Sequence, residues 1–319
     1  MRIEASPPKV SVCVITYNQE AYIGPCLQSI VDQKTDFDFE IIVGDDASTD
    51  NTRAVVQDFA ERYPARIRPI YQVKNIGGGA RNFRTVHMAA TGQYVAHVDG
   101  DDLVLPGKLQ AQVDMLDAKP EVAFAAHAVG IIGSDQVMGA DSGYPEYGSV
   151  YDLLRLGTYF VHSSIMYRRE QGNVAAFPED SVDFYMHIER AMHGSIYLDK
   201  RALGGYRVHG AGISQQHANR RRYERLYEMA FDRANELGLD VDRVERARLN
   251  YRMKSAVARC LNRDYTGYRS QVKLDRDSWK QATTRHKLLS LTRDVPAVVH
   301  LYFLLKRWRS LWPWSRAVS

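Results

Sequence analysis

Short runs of apolar, β-branched residues alternate with amphipathic segments through the first part of the chain. The runs predict strands, and the spacing of apolar positions between them predicts helices. Strands that alternate with helices form right-handed βαβ units, so we expect an α/β fold with a mostly parallel sheet flanked by helices. The predicted strands cover residues 10–15, 40–43, 67–73, 94–98 and 122–126, and the predicted helices cover 21–32, 51–63, 83–90 and 106–118.

The pattern changes after residue 130. Residues 130–148 are rich in glycine and predict a loop. After residue 215 the composition shifts to charged helices, so we expect a first domain at 1–215 and a basic helical region at 216–319. Further strands are predicted at 162–167, 197–198 and 203–206, and further helices at 181–193, 218–237 and 241–260.

Clusters of polar residues follow four of the predicted strands. In a parallel sheet, ligands bind outside the carboxyl ends of the strands. We therefore expect these clusters to gather along one edge of the sheet and to share a site. They are Tyr17, Asp45-Asp46, Asn75–Gly79 and Asp99–Asp102.

The last of these clusters, Asp99-Gly100-Asp101-Asp102, follows an apolar strand and precedes a helix. Three carboxylates in four residues repel one another unless a cation or hydrogen bonds compensate. Mg²⁺ and Mn²⁺ prefer such ligands and are commonly held by one or two carboxylates plus substrate phosphates. The cluster therefore predicts a site for a divalent metal and a diphosphate. The alternative is an acidic turn that only caps the next helix.

Charge is distributed unevenly along the chain. Residues 200–319 hold 26 Lys and Arg against 11 Asp and Glu, whereas the preceding residues hold 16 and 27. This asymmetry indicates an acidic catalytic part and a basic part that faces an anionic partner. The three cysteines have no zinc-site spacing and do not suggest a disulfide framework. The N-terminus lacks the apolar segment of a secretory signal, and we expect a cytoplasmic protein.

Residues 296–314 combine an apolar run with Lys, Arg and three Trp. The segment is too short and too charged to span a bilayer, which needs about 20 apolar residues. Its composition favours an anchor at the cytoplasmic face of an anionic membrane, with Trp at the level of the headgroups. The alternative is a C-terminal helix that packs its aromatic side chains on the body of the protein.

The order of these motifs resembles the inverting nucleotide-sugar glycosyltransferases of family 2. The resemblance extends over about the first 210 residues and implies a GT-A fold for residues 1–215. A single Asp-X-Asp is common by chance, whereas five motifs in the family's order are specific. The matching segments are VSVCVITYNQEAYI (10–23), EIIVGDDASTDNT (40–52), NIGGGARN (75–82), YVAHVDGDD (94–102) and LPGKL (105–109).

The resemblance implies a role for individual residues of the first half of the site. Tyr17 would stack on the base of the donor, and Asp46 would accept the imide N–H of a uracil. Asp101 is expected to contact the metal directly, and Asp99 to contact the ribose or the metal. The residues expected to bind the nucleotide-sugar are Thr16, Tyr17, Asn18, Glu20, Asp45, Asp46, Asn75, Gly77, Arg81, Asn82, Asp99, Gly100 and Arg207.

The second half of the expected site lies at residues 181–209. Asp183 resembles the aspartate that heads a helix in the family and acts as general base, with Asp180 as the competing candidate. A base here would deprotonate the acceptor hydroxyl as it attacks the anomeric carbon. In Tyr206-Arg207-Val208-His209, which resembles the family's YRxH, Arg207 would bind the diphosphate and His209 a metal or phosphate.

The resulting expectation is a metal-dependent, inverting glycosyltransferase, a hexosyl- or N-acetylhexosaminyl-transferase that uses Mg²⁺ or Mn²⁺. It would transfer one sugar from a nucleotide-sugar, a UDP-sugar, to a cell-surface saccharide or lipid-linked acceptor, and nucleic acid is not an expected partner. The rival hypothesis is a non-catalytic binder of nucleic acid or another anionic polymer, suggested by Arg220, Arg221, Arg222 and Arg225. A nucleotidyltransferase is a further alternative, although a Gly-rich basic loop after the first strand is lacking.

Overall fold

The computed structural model describes residues 7–305, except for residues 78, 172–173 and 209–219. These residues form two compact units, which we treat separately. Unit 1 consists of residues 7–150 and 158–208, and unit 2 of residues 151–157 and 220–305. The domain boundary expected near residue 215 lies outside the described residues, and residues 151–157 group with the C-terminal helices.

Unit 1 is an α/β unit, as the alternation in the sequence predicts. Its strands are β1 (Val10–Thr16), β2 (Phe39–Asp45), β3 (Ile67–Tyr71), β4 (Tyr94–Asp99), β5 (Leu103–Val104), β6 (Val122–Ile131), β7 (Val137–Met138), β8 (Tyr147–Gly148), β9 (Met166–Arg168) and β10 (Ser195–Tyr206). Its helices are α1 (Ile23–Val31), α2 (Thr52–Arg62), α3 (Gly79–Met88), α4 (Lys108–Ala118) and α6 (Asp183–Ala191), while α5 (Val150–Leu156) belongs mostly to unit 2.

One mixed sheet runs through unit 1 in the order β3-β2-β1-β4-β9-β6-β10-β5, with β7 beside β6 and β8 beside β10. The long pairings of β1 with β2 and β4, of β2 with β3 and of β6 with β10 are parallel. The register places Thr16 beside Asp45 and Ile15 beside Asp99. The polar residues that follow β1, β2 and β4 therefore leave the sheet at the same edge.

The apolar runs of the sequence form the core of this sheet. Val10, Val12 and Val14 on one face of β1 are fully buried, and so are Ser11 and Cys13 on the other face, as in a parallel sheet covered on both sides. The predicted strands and helices before residue 126 are present, although α3 begins at Gly79 rather than at residue 83. Residues 195–206 form one strand instead of two, and 162–167 begins as a 3₁₀ turn, His162–Ser164, before β9.

Unit 2 is helical in its described part. The helices after residue 240 form a core of their own, which includes Met253, Tyr268 and Phe303. Arg259 donates to both carboxylate oxygens of Glu224 over 2.8 and 2.7 Å, which joins two of the helices. None of the described helices is both long enough and apolar enough to cross a membrane. The helices are α7 (Arg220–Glu236), α8 (Val241–Leu261), α9 (Tyr265–Val272), α10 (Arg276–Gln281), α11 (Thr284–Leu291) and α12 (Pro296–Leu305).

Candidate functional site

Asp46 joins the loops that follow β1, β2 and β3. Its main-chain N–H donates to the carbonyl of Thr16 over 3.0 Å, and its Oδ1 accepts from the N–H of Ile76 over 2.9 Å. Burial raises the pKa of Asp46, and the neighbouring charge of Asp45 adds to that effect, against the two main-chain donors. Tyr17 lies in the adjacent loop with 44% of its surface exposed. An exposed aromatic face and a carboxylate are thus presented at the same edge.

Asn18, Glu20 and Asp45 hold the loops after β1 and β2 in place. Asn18 has a positive φ of 50°, and its Oδ1 accepts from the N–H of Thr49 over 2.8 Å. Glu20 accepts from the N–H of Asn51 over 2.8 Å, and buried Asp45 pairs with Arg53 at 3.0 Å. These side chains fix the shape of the loops, and their predicted contact with a donor stays a prediction.

The segment after β3 places its predicted residues in different environments. The side chain of Asn75 accepts from the N–H of Gly77, whose φ of 71° favours glycine. Arg81 is partly exposed and pairs with Glu179 at 3.3 Å. Asn82 instead is buried and donates to the carbonyl of Gly44 over 2.7 Å. Asn82 therefore supports β2, whereas Arg81 remains accessible to an anionic ligand.

The acidic turn after β4 is packed tightly against the loop after β1. A Cβ on Gly100 would lie 2.6 Å from Oε1 of Gln19 and 3.0 Å from the carbonyl oxygen of Ile15. The N–H of Gly100 also donates to that carbonyl over 2.9 Å. Glycine is required here by the close approach of two segments, which brings Asp99 and Asp101 next to the end of β1.

Arg207, at the end of β10, is bound to the same turn. Its N–H donates to Oδ1 of Asp102 over 3.0 Å, and its Nε donates to the carbonyl of Asp101 over 2.9 Å. The guanidinium group lies over the ring of Tyr22 at 4.6 Å. The sequence predictions for the acidic turn and for Arg207 thus meet at one place, although 105 residues separate Asp102 from Arg207.

The acidic turn fits a divalent cation that has few protein ligands. Burial, and then the charges of Asp99 and Asp101, raise the pKa of Asp102 well above its ordinary value. A nearby cation would offset this concentration of negative charge. Within the described part of the chain, no three acidic, His or Cys side chains converge as a metal cage. Such a site matches Mg²⁺ or Mn²⁺ held by one or two carboxylates and by substrate phosphates. His209, the third predicted ligand, lies outside the described residues.

Both carboxylate oxygens of Asp99 are held by residues that the sequence reading did not single out. Ser163 donates to Oδ2 over 2.7 Å, and its Oγ also accepts the N–H of Asp99 over 3.2 Å. His97 Nε2 lies 3.2 Å from Oδ1. Burial alone would raise the pKa of Asp99, but the hydrogen bonds from His97 and Ser163 outweigh it and lower that pKa.

Asp183 begins α6 and faces the same region. Its Oδ1 lies 3.8 Å from Nε2 of His162, the residue before Ser163. Although 56% of the side chain is reachable by solvent, the surrounding protein atoms desolvate the carboxyl and, with the charge of Asp99, raise its pKa to about 7. Asp180, the competing base, is exposed in the turn before the helix. A carboxyl with a pKa near neutrality suits a general base.

The alternation of side chains along β4 could have identified His97, one of the two residues that hold Asp99. Side chains two positions apart on a strand point to the same face, so His97 and Asp99 share a face. The run Tyr94–Val98 is apolar except for this histidine. Ser163 lies 64 residues from Asp99 and His162 lies 21 residues from Asp183, and only the fold brings each pair together.

The sequence model of the family described as glycosyl transferase family 2 matches residues 11–172, just over half of the chain. The chain belongs to this family. The matched segment contains the loops after β1, β2 and β3, the acidic turn and Ser163. Asp183 and Arg207 lie beyond it and contact residues within it, Asp183 through His162 and Arg207 through the acidic turn.

Two relatives illustrate the similarity within glycosyl transferase family 2. Rv1520, an uncharacterised protein of Mycobacterium tuberculosis, is 37% identical over 211 residues, which are 64% of this chain and 60% of Rv1520. The uncharacterised glycosyltransferase alr2836 of Nostoc sp. is 33% identical over 217 residues, which are 64% of this chain and 66% of that protein. The matched region thus spans about 60% of the length of the mycobacterial relative.

Solved structures share the fold over a larger part of the chain. TarS 1–349 of S. aureus in complex with UDP-GlcNAc has a TM-score of 0.67 and 18% identity, and the match covers 92% of this chain and 87% of TarS 1–349. The mannosyltransferase PcManGT of Pyrobaculum calidifontis, with GDP-Man and Mn²⁺, has a TM-score of 0.54 and 18% identity over 94% of this chain and 88% of that one. The family 2 chain therefore has the GT-A-like fold that the motifs predict.

Proposed function

We propose that the chain is an inverting glycosyltransferase that transfers one sugar from a nucleotide-sugar, a UDP-sugar, to a saccharide or lipid-linked acceptor. The observation that carries the proposal is the position of Asp183. This carboxyl begins a helix beside the acidic turn, its pKa is raised to about 7, and the charge of Asp99 contributes to that shift. An acid–base group next to a diphosphate-binding turn is what a glycosyl transfer to a hydroxyl requires.

Some residues of the proposed site would bind the donor, and Asp183 would act on the acceptor. Tyr17 offers a face for the base, and the carboxylate of Asp46 accepts its imide N–H. Arg207 places its positive charge beside the acidic turn, where a diphosphate would complete a charge-assisted contact. Asp183 takes the proton from the acceptor hydroxyl while that oxygen attacks the anomeric carbon from the side opposite the nucleotide. The nucleoside diphosphate then departs, and the configuration at that carbon is inverted.

A divalent metal completes the proposed site. Asp101 and Asp99 would hold it, and when bound it would neutralise charge on the departing diphosphate. The bound nucleotide-sugars of TarS and PcManGT, and the Mn²⁺ of PcManGT, support a donor and a metal of this class. Each of these proteins is under 25% identical to this chain, so the proposal depends on the contacts of Asp99, Asp101 and Asp183.

The proposal also includes association with an anionic membrane surface through unit 2. Leu291 of α11 and Val298 and Leu301 of α12 are exposed apolar side chains. The sequence continues from α12 into Lys306, Arg307 and three Trp residues. Exposed apolar side chains next to basic and Trp-rich sequence are typical of an interfacial anchor. A lipid-linked acceptor would be reached from such a surface.

The test measures binding and hydrolysis of a panel of nucleotide-sugars with Mn²⁺, with Mg²⁺ and with chelator. Asp101→Ala is expected to abolish metal-dependent binding, whereas Asp183→Asn is expected to bind the donor and to hydrolyse it about 10²–10⁴-fold more slowly. Asp180→Asn is the matched control, because it removes a carboxyl three positions away. If the wild-type protein binds no donor with either metal, the enzyme hypothesis fails and the anionic-polymer binder replaces it.

A further inference from the structure

A continuous line of buried polar side chains leads from the interior of unit 1 to Asp99. The Tyr167 hydroxyl lies 2.7 Å from Nδ1 of His87, and Nε2 of His87 lies 3.1 Å from Nδ1 of His97. The second nitrogen of His97, Nε2, lies 3.2 Å from Oδ1 of Asp99. We refer to Tyr167, His87 and His97 as the buried relay. All three are almost completely enclosed.

The chemistry of the end group determines the hydrogen bond between His97 and Asp99. An ionised carboxylate only accepts, so His97 carries a proton on Nε2, and a neutral His97 ring then uses Nδ1 as an acceptor. His87 must then donate from Nε2, which leaves its Nδ1 to accept from the hydroxyl of Tyr167. One arrangement of protons therefore satisfies all three contacts with both rings neutral.

The surroundings agree with this arrangement. Burial lowers the pKa of His87 well below its ordinary value and raises the pKa of Tyr167 to about 12, so a neutral ring and a protonated hydroxyl are favoured. The ring of Phe83 stacks on His87 with centroids 3.6 Å apart, and Arg190 lies 4.0 Å from the centroid of the Tyr167 ring. The relay is thus enclosed by packed rings, which limits its rotamers.

We propose that the buried relay is a positioning device that orients the Asp99 carboxylate toward the donor diphosphate and its metal. Tyr167, His87 and His97 act through Asp99 and do not themselves contact the ligand. The role rests on the proposed function, whereas the proton arrangement can be tested without it. Ser163 fixes the other oxygen of Asp99, so the carboxylate is held from two sides and each oxygen keeps a free lone pair for a ligand.

The first experiment determines the tautomers in the ligand-free protein. The side chains are labelled with ¹⁵N-histidine, and long-range ¹H–¹⁵N spectra are recorded near neutral pH. His87→Gln and His97→Gln variants assign the two signals among the ten histidines of the chain. We expect a proton on Nε2 of His97, which faces Asp99, and a neutral ring for His87. A His97 ring protonated only at Nδ1, or a charged His87 ring, overturns the relay whether or not the protein is an enzyme.

The second experiment measures binding of UDP with Mn²⁺ by calorimetry. His97→Leu removes the donor to Asp99 and is expected to weaken Mn²⁺ binding about 10–100-fold, as loss of an outer contact to a ligating group does. His97→Gln can still donate through its Nε2 and should recover most of that affinity. Tyr167→Phe removes only the far end of the relay, and about a 2–10-fold loss is expected from one hydrogen bond.

His127→Gln is the control for burial, because His127 is a buried histidine on β6 whose Nδ1 contacts its neighbouring main-chain carbonyl at 2.8 Å. It should leave Mn²⁺ and UDP binding unchanged. Equal losses in His97→Leu, His97→Gln and His127→Gln would show a general structural effect and overturn the positioning role. If the wild-type tautomers are as inferred but UDP and Mn²⁺ do not bind, the proposed function fails, and the positioning role fails with it, while the arrangement of protons stands.

Discussion

His162 Nε2 lies 3.8 Å from Oδ1 of Asp183. The next residue, Ser163, donates to Asp99 over 2.7 Å, so one 3₁₀ turn contacts both carboxylates that the proposed reaction uses. Lys108 also holds this turn, because its Nζ donates to the carbonyl of Ser163 over 3.0 Å. The position of Asp99 relative to Asp183, the proposed base, therefore depends on the 3₁₀ turn His162–Ser164.

The rate of donor hydrolysis should rise with pH through neutrality. The pKa of Asp183 is raised to about 7, so the base is protonated and inactive below that value and ionised above it. We expect the initial rate of nucleotide-sugar hydrolysis with Mn²⁺ to fall about tenfold for each pH unit below the pKa. Asp183→Asn should remove this dependence from the residual rate, and Asp180→Asn should retain it. A rate that is flat between pH 6 and pH 8 in the wild type would exclude Asp183 as the base.

Burial of Lys108 should make the free energy of unfolding depend on pH in the alkaline range. Burial lowers its pKa to about 8, whereas the unfolded chain keeps the ordinary value of 10.5. Between these values the unfolded state binds the proton and the native state does not, so the free energy of unfolding rises with pH. Urea unfolding of wild type and Lys108→Met is measured at about pH 7.5 and about pH 9.5, and the wild type should gain roughly 2 kcal/mol relative to the variant.

Lys287→Met provides the comparison for that measurement, since Lys287 is only partly buried, whereas Lys108 is almost completely enclosed. The stability difference between Lys287→Met and the wild type should be independent of pH over the same interval. An equal pH dependence in both variants would mean that the effect does not come from burial of Lys108.

Substitution of Gly100 should disrupt the acidic turn. A Cβ at this position would meet Gln19 at 2.6 Å and the main chain of Ile15 at 3.0 Å, and the main chain cannot move aside as a side chain can. Gly100→Ala is expected to lower the free energy of unfolding by about 1–3 kcal/mol and to weaken binding of UDP with Mn²⁺. Gly130→Ala is the matched control, because nothing lies within 4 Å of its added Cβ. Equal stability of the two variants would contradict this account.

The apolar side chains of unit 2 should control association with vesicles. Val298→Glu with Leu301→Glu places two charges on exposed positions of α12, and partition into vesicles that contain anionic lipid should weaken about tenfold or more. Val241→Glu is the control, since Val241 is also exposed, at the start of α8. Flotation with and without anionic lipid measures the effect. Equal binding of all three proteins would remove α12 from the proposed membrane surface.

Much of the fold could be predicted from periodicity and turn chemistry. The strands before residue 126 are apolar runs bounded by polar residues, and each run lies within or close to a strand of the sheet. The strands after residue 126 are harder to predict from sequence. In β10, for example, Asp199, Lys200 and Arg201 interrupt the apolar pattern. The ladder with β6 continues through this interruption with register shifts, a tertiary effect that local sequence does not encode.

The candidate site could be predicted only where its residues follow strands. Asp46, Asp99 and Asp101 could be predicted to lie together because carboxyl ends of parallel strands share an edge, as the register of β1 with β2 and β4 shows. Ser163 and His162 could not, since a serine and a histidine in a mixed segment have no local pattern that marks them. The amide of Asn82 donates to the carbonyl of Gly44 in β2, a contact that its motif does not indicate, and its expected contact with a ligand stays a prediction.

The enclosed histidines also make unit 1 sensitive to acid. Burial lowers the pKa of His87, His162 and His187 well below the ordinary value, so each of these rings stays neutral in the native state. Below about pH 6.5 the unfolded chain binds protons that the native protein excludes, and each such ring removes about 1.4 kcal/mol of stability per pH unit. The raised pKa values of Asp102 and Asp183 act in the opposite sense, because these carboxyls bind protons in the native state that the unfolded chain has already released. The stability of unit 1 in acid therefore depends on the difference between its buried histidines and its buried carboxyls.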